Sequence, residues 1–255
     1  MNYKTILLIR SKNCRYCPPG YYALGYIADY AREKRYRVID LPATKAKREY
    51  VVSAINQFKP KLIFGFGHGM PYAFTGDNAN EMIFWSIWDL SYLEGSIIYL
   101  LSCHTAADLG KRMVNKGAAG FAGYLNEWHY LGTTWGDPMK TTLGKTFFES
   151  GTELVKGLID GLSLKDAVDR AINKYNSWIE YWEESGNPFA SEVIKWLTWD
   201  RDLLTYYGND NARDKYPEEI DNCQECVNSS FFWHNDKCSL NPSAEDSYSL
   251  EVIPQ

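Results

Sequence analysis

A histidine and a cysteine stand where two apolar segments of the sequence end. "KLIFGFGHG" (61–69) closes on His68 and Gly69, and "SIIYLLSCHTA" (96–106) leads into Cys103. A thiolate can attack a carbonyl carbon, and a neighbouring imidazole can lower the pKa of the thiol and later protonate the leaving amine. If both segments are adjacent parallel strands, their carboxyl ends meet at one edge of the sheet. The pattern therefore predicts a Cys/His dyad for acyl transfer.

Backbone amides beside this pair are candidates for stabilising an oxyanion. The glycines within 65–69 let the backbone turn and approach a substrate closely. We expect the N–H groups of Gly69 and Cys103 to face the developing charge. "AADLGKRMVNKG" (106–117) predicts a helix just after the cysteine, and the positive end of that helix would favour the thiolate. His104 is interpreted as structural or substrate-facing, because neighbouring residues at a strand exit point in different directions.

Four of the other five cysteines form two C-x-x-C pairs. Zinc requires four ligands in a tetrahedron, and one C-x-x-C turn supplies two of them. The alternatives are a local zinc site in the C-terminal region, a redox dithiol in the first pair, and disulfides or free thiols. The local site would use Cys223, Cys226, His234 and Cys238. We favour a structural zinc site that joins both pairs, with ligands Cys14, Cys17, Cys223 and Cys226.

Six short apolar runs predict the strands that position these residues. The first three alternate with two helix-like segments in the order β-α-β-α-β, which is typical of a parallel sheet with helices on both faces. We therefore expect an α/β fold with a six-stranded, mostly parallel sheet. The predicted strands are 4–10, 36–41, 61–67, 96–102, 118–125 and 203–208.

Local signals mark the ends of the predicted helices. Pro138 opens one helix-like segment, and Gly117 closes another. Ser163, with Asp166 three residues later, caps a third. Residues 70–95 predict irregular structure with a hairpin. Helix packing is the expected role of the late tryptophans Trp178, Trp182, Trp196 and Trp199.

Composition limits the architecture and the classes of partner. The chain has 255 residues, of which 45% are hydrophobic and 23% are charged, and its formal net charge is −5. One sizeable core can form, and no basic footprint for nucleic acid or for a membrane surface is present.

No apolar run approaches the roughly 18 residues of a membrane span, and the first apolar run is too short for a secretory signal. We expect a cytoplasmic protein with one core domain over 1–209 and an irregular, Cys-containing extension over 210–255. The oligomeric state is left open.

The two segments that carry the dyad resemble a known family. "LIFGFGHG" and "IIYLLSCHTA" are similar to the His-Gly and Cys segments of the caspase-like cysteine peptidases, the group that includes caspases, legumain, clostripain and gingipains. "KRMVNKGAAGFAGYL" and "FFESGTELVKGLIDGLSLKDAVDRAINKY" resemble the gingipain-like branch. "LLTYYGND" resembles a strand that often leads into Gly-Asp-Pro there, with Asn209-Asp210 as a departure that affects the turn. The resemblance spans residues 4–209.

The resemblance implies a three-layer caspase-like α/β/α fold and endopeptidase activity without an organic cofactor. It implies that His68 is the acid/base, that Cys103 is the nucleophile, and that the substrate is a peptide or protein. A catalytically silent caspase-like module that binds or regulates a partner is the alternative.

In such enzymes, the loops after the first and fifth strands form the pocket for the residue before the scissile bond. Arg10, Lys12 and Arg15 in the first loop would suit an acidic side chain. Glu127 and Asp137 in the second would suit a basic one. Trp128 and Trp135 would be its walls. The likeness to gingipain and clostripain favours a basic residue, with Trp128 and Asp137 as substrate-binding candidates.

Overall fold

A six-stranded sheet lies at the centre of the structure, which is a computed structural model. The structure describes residues 4–77, 81–132 and 135–214, together with the backbone of 232–234 and 237–239. The chain divides into two units, Met1–Asp214 and Lys215–Gln255. Strands of the first unit are β1 (Thr5–Arg10), β2 (Arg37–Pro42), β3 (Leu62–Phe66), β4 (Gly69–Met70), β5 (Ala73–Thr75), β6 (Met82–Trp85), β7 (Ile97–Leu101), β8 (Gly120–Tyr124) and β9 (Leu204–Gly208). In the second unit, β10 (Phe232–His234) pairs antiparallel with β11 (Lys237–Ser239).

The central sheet has the strand order β2-β1-β3-β7-β8-β9. Its first five strands are parallel, and β9 runs antiparallel to β8. All residues of β3 and β7 are buried, as expected for parallel strands that are covered on both faces. The prediction of six strands in a mostly parallel sheet is confirmed.

Helices cover both faces of this sheet and complete three layers. Side chains alternate along β1, so that Ile6 and Leu8 join one core while Leu7 and Ile9 join the other. The helices are α1 (Pro18–Glu33), α2 (Arg48–Phe58), α3 (Leu109–Asn115), α4 (Thr142–Ile159), α5 (Leu164–Glu184) and α6 (Ala190–Leu203). The first core is covered by α1, α4, α5 and α6, and the second by α2 and α3 together with β5 and β6.

The segment between β3 and β7 is more regular than its sequence indicates. Irregular structure with a hairpin was the expectation, whereas β4, β5 and β6 form a three-stranded antiparallel sheet. Phe74, Ile83 and Phe84 from this small sheet are completely buried in the second core. The small sheet thus fixes the backbone that follows β3.

Two of the predicted helix ends are confirmed and one is displaced. Gly117 has a φ of 105° just after α3, the left-handed conformation that glycine adopts easily. Ser163 caps α5. Pro138 begins a 3₁₀ turn, Pro138–Lys140, and α4 starts only after the capping residue Thr141.

Replacing Ser163 with alanine is expected to lower the free energy of unfolding by about 1 kcal/mol. The Ser163 hydroxyl accepts a hydrogen bond from the Asp166 N–H at 3.2 Å and donates one to the Asp166 carboxylate at 2.7 Å. Alanine would leave that N–H without its cap. Thermal denaturation should show a midpoint about 2–4 °C lower. The control is Ser177→Ala on the exposed side of the same helix, and an equal shift in both variants would contradict the capping role.

Among the described residues, no helix combines the length and the apolar character needed to cross a lipid bilayer.

Candidate active site

The register of two neighbouring strands aligns the proposed dyad. β3 and β7 are adjacent and parallel, and Phe66 and Leu101 form their last pair. His68 and Cys103 each stand two residues beyond that pair. Both residues therefore leave the sheet at the same edge and at the same level, as the sequence pattern requires of a dyad.

The backbone and side chain of His68 are both held. Its carbonyl oxygen accepts hydrogen bonds from the Thr75 N–H at 2.9 Å and from the Thr75 hydroxyl at 3.3 Å. On the side chain, Nε2 lies 3.1 Å from Sγ of Cys14. Burial lowers the pKa of His68, so the neutral imidazole is favoured.

The partner of His68 determines which ring nitrogen carries the proton. Cys14 and Cys17 form a disulfide, and a disulfide sulfur has no proton to donate. Nε2 of His68 must therefore be the donor, which leaves the lone pair on Nδ1. In this state Nδ1 is the nitrogen that can accept a proton.

Cys103 is a half-buried free thiol. Its S–H donates to the carbonyl oxygen of Trp128 at 3.8 Å. Burial raises the pKa of Cys103, and the carboxyl groups of Glu127 and Asp200 raise it further. The expectation that a helix end favours the thiolate is wrong, because turns separate Cys103 from the start of α3 at Leu109.

The two strand ends touch at Gly69. A Cβ at this position would collide with the carbonyl oxygen of Cys103, so only glycine permits this approach. A Cβ at Gly67 would likewise collide with the Thr75 carbonyl oxygen, which makes this glycine a packing requirement of the small sheet. His104 follows with a φ of 60°, a conformation that is uncommon for a residue with a side chain and that clusters at functional sites.

Trp128 is a buried residue in contact with Cys103. Its indole is 7% exposed and donates from Nε1 to the Tyr175 hydroxyl at 3.2 Å. The ring also packs edge-on against Phe66 and Phe148. The indole thus belongs to the core, while the main-chain carbonyl of the same residue accepts a hydrogen bond from the Cys103 thiol.

Asp137, the other substrate-binding candidate, makes structural contacts. Its Oδ1 accepts from the Met139 N–H at 3.0 Å and caps the Pro138–Lys140 turn. Its Oδ2 accepts from the Tyr26 hydroxyl at 2.8 Å. A role of Asp137 in substrate binding remains a prediction.

Asp200 on α6 is a site residue that the sequence interpretation missed. It is fully buried, and its Oδ1 accepts from the His129 N–H at 2.9 Å. Oδ2 has no hydrogen-bond partner within the described part of the chain, and burial raises the pKa of this carboxyl well above its usual range. The available signal was its spacing from Val193 and Leu197, which places a carboxylate on the apolar stripe of a helix.

A buried carboxylate also orders the loop after β1. Asp77 accepts hydrogen bonds from the backbone N–H groups of Lys12 and Asn13 at 2.9 and 3.1 Å, and from the side-chain amide of Asn13 at 2.6 Å. Arg10 is engaged elsewhere, in a two-contact ion pair with Asp40 at 2.7 and 2.5 Å. A cavity of about 520 Å³ opens beside this loop and is lined by Lys12, Asn13, Cys14, Arg15, Pro18, Tyr22 and Trp135.

The structure bears only partly on the predicted zinc site. With Cys14 and Cys17 joined as a disulfide, neither sulfur is a thiolate ligand in this state. The side chains of Cys223, Cys226, His234 and Cys238 lie outside the described residues. The four-thiolate zinc site therefore remains a prediction.

Comparison with known structures identifies the fold. Gingipain R (RgpB), an Arg-specific cysteine proteinase, is similar over 83% of this chain and 47% of its own, with a TM-score of 0.55 and 11% identity. The complex of RgpB pro- and mature domains from Porphyromonas gingivalis matches over 82% of this chain and 48% of its own, with a TM-score of 0.53 and 11% identity. Comparison with protein-family models and with curated protein sequences finds no match.

This chain spans about half the length of those two matched structures. At 11% identity the similarity establishes the fold alone. The caspase-like α/β fold that the sequence resemblance implied is thus confirmed, as a fold.

Proposed function

We propose that the chain is a cysteine endopeptidase that uses Cys103 as nucleophile and His68 as acid/base. The observation that supports this most strongly is their register: two neighbouring parallel strands end in an imidazole and a free thiol at one level of one sheet edge. The fold shared with gingipain R is consistent with the proposal.

In the proposed reaction, Sγ of Cys103 attacks the carbonyl carbon of the scissile peptide bond while His68 takes the thiol proton. The N–H groups of Gly69 and Cys103 stabilise the oxyanion. The carbon–nitrogen bond then breaks, and His68 returns the proton to the departing amine. Water hydrolyses the thioester, releases the carboxylic acid and restores the thiol.

The charge around the thiol favours a basic residue before the scissile bond. Glu127 is exposed, whereas Asp200 is buried, and the carboxyl groups of both act on the pKa of Cys103. A guanidinium or ammonium group bound beside the exposed carboxylate of Glu127 would pair with it and offset its effect on the thiol. Such a cation would therefore bind at this site and also ease formation of the thiolate.

Replacing Glu127 with glutamine is expected to lower kcat/KM about 10-fold for peptides with Arg or Lys before the scissile bond, since one charged hydrogen bond is weakened. Peptides with a neutral residue there should be cleaved no more slowly, because loss of the Glu127 charge lowers the pKa of Cys103. The measurement is a positional fluorogenic peptide library, run with the wild-type chain and the variant. Glu180→Gln on the exposed face of α5 is the matched control.

The same library tests the proposed function itself. Cleavage after Asp or Glu would contradict the basic preference and would point to the cavity lined by Lys12 and Arg15. Failure to cleave any peptide, in reducing buffer with and without calcium, would overturn the peptidase proposal. The catalytically silent module would then be the remaining interpretation.

A further inference from the structure

The first C-x-x-C pair has no step in the proposed peptidase reaction, yet it lies against the histidine that does. Cys17 is 1% exposed and occupies the N-cap position of α1, a helix of 16 residues. Cys14 is half-buried, and its Sγ lies 3.1 Å from Nε2 of His68. Two soft ligands and an imidazole therefore meet at the edge of the candidate active site.

The geometry of these three groups fits one metal ion. Sγ of Cys14, Sγ of Cys17 and a ring nitrogen of His68 all lie within 4.8 Å of one another. In a tetrahedral zinc site, with Zn–S of about 2.3 Å and Zn–N of about 2.0 Å, ligand atoms lie roughly 3.5–3.8 Å apart. The three atoms are thus already gathered closely enough for one ion to bridge them once the sulfurs are separated. The positive end of α1 also stabilises thiolates at this position.

We propose that the reduced chain binds Zn²⁺ through Cys14, Cys17 and His68, with a fourth position open to water. A dithiol reductant supplies two electrons and two protons, becomes a disulfide itself, and converts the Cys14–Cys17 bond into two thiols. The ion then displaces both thiol protons. This site differs from the four-thiolate site predicted from the sequence, because its third ligand is His68.

The bound ion would silence the proposed dyad, a consequence that rests on the proposed function. With the metal on Nε2, the ring proton of neutral His68 must move to Nδ1. No lone pair then remains to accept the proton of Cys103. In the oxidised chain, by contrast, Nε2 donates to a sulfur and Nδ1 remains available.

Cobalt(II) titration of the full chain tests the metal site without reference to activity. The chain is reduced with a phosphine under anaerobic conditions, and Co²⁺ is added in steps. We expect one equivalent to produce thiolate-to-cobalt charge transfer and the intense d–d bands of a tetrahedral site, and Zn²⁺ to displace it. Cys14→Ser and His68→Gln should each weaken binding by roughly 100-fold or more, because a direct ligand is lost. The unreduced chain should give no charge-transfer band.

Matched variants separate this site from its rivals. Cys103→Ser and the double variant Cys223→Ser/Cys226→Ser should bind cobalt as the parent chain does. Unchanged binding in His68→Gln would overturn the proposal. Loss of binding in the double variant would also overturn it, in favour of the four-thiolate site. Circular dichroism confirms that each variant is folded.

Zinc inhibition of peptide cleavage gives a second readout. The reduced chain should lose activity in Zn²⁺ and recover it with a chelator, and Cys14→Ser should require roughly 100-fold more zinc for the same inhibition. A chain that binds cobalt but cleaves no peptide would support the metal site and contradict the peptidase. A chain that cleaves peptides without binding cobalt would support the peptidase and contradict the metal site.

Discussion

Replacing Cys103 with alanine is expected to lower kcat for peptide cleavage by about 10⁴-fold or more, because the proposed reaction loses its nucleophile. The fold should survive, since within the described residues the side chain makes a single, long hydrogen bond, to the Trp128 carbonyl oxygen at 3.8 Å. The measurement compares wild type and variant on the best peptide from the positional library. Binding of that peptide should persist, because the specificity groups remain in place.

Ser102→Ala is the matched control, since it changes the adjacent residue at the same strand end. Ser102 is buried and makes one long hydrogen bond, to the Thr105 hydroxyl at 3.4 Å, so most of the activity should remain. If Cys103→Ala kept more than about a hundredth of the wild-type rate while folded, Cys103 would not be the nucleophile. Equal losses in both variants would point to a disturbed strand end instead.

The thiol of Cys103 is less acidic than the sequence predicted. The helix expected directly after it begins only at Leu109, so its positive end does not act on the sulfur. Burial, followed by the carboxyl groups of Glu127 and Asp200, raises the pKa of Cys103. Burial also lowers the pKa of His68. Both shifts favour the neutral thiol and the neutral imidazole in the chain without substrate. The proposed reaction therefore requires an ion pair to form when a substrate excludes water or supplies a compensating charge.

The main sheet was predictable because its strands carry a strong local signal. "KTILLIR" and "SIIYLLS" are short apolar runs bounded by polar residues, and parallel strands covered on both faces require such runs. Since the carboxyl ends of parallel strands share an edge, the relation between His68 and Cys103 followed from the strand assignments alone.

The small sheet and α6 lacked such a signal. β4, β5 and β6 contain two, three and four residues, which is too short for an alternating pattern to be recognised. In α6, Trp196 and Trp199 lie outside the buried stripe. Trp196 stacks on the His129 ring, and Trp199 meets the same ring edge-on. These aromatic residues obscured the helical periodicity and with it the position of Asp200.

The rest of the site depends on contacts that are distant in sequence. Asp77 accepts a hydrogen bond from the backbone of Lys12, more than sixty residues away in the sequence. Asp200 accepts one from the backbone of His129, which is 71 residues away. Such pairs have no local pattern, because each partner satisfies a group that only the tertiary fold brings near. The contact between Cys14 and His68 is of the same kind. The C-x-x-C motif was visible in the sequence, whereas its imidazole neighbour was not.

Gly69→Ala is expected to lower kcat about 10²- to 10³-fold, the effect typical of losing one oxyanion donor. The new Cβ would strike the carbonyl oxygen of Cys103 and lie 2.8 Å from the Thr105 methyl group. The two strand ends would have to separate, which would displace the N–H groups of Gly69 and Cys103 that are proposed to stabilise the oxyanion. The same overpacking should lower the free energy of unfolding by about 1–3 kcal/mol. Rates are therefore measured well below the melting temperature, on the peptide used for Cys103→Ala.

Gly25→Ala provides the matched control for adding one methyl group to a glycine. A Cβ at Gly25 in α1 would meet only the Arg10 guanidinium, at an ordinary distance of 3.4 Å. Helix propensity should make this variant slightly more stable, and its activity should be unchanged. If Gly69→Ala were folded and fully active, the contact between the ends of β3 and β7 would have no part in stabilising the oxyanion. If kcat fell while KM stayed constant, the loss would be confined to the transition state, which is where an oxyanion hole acts.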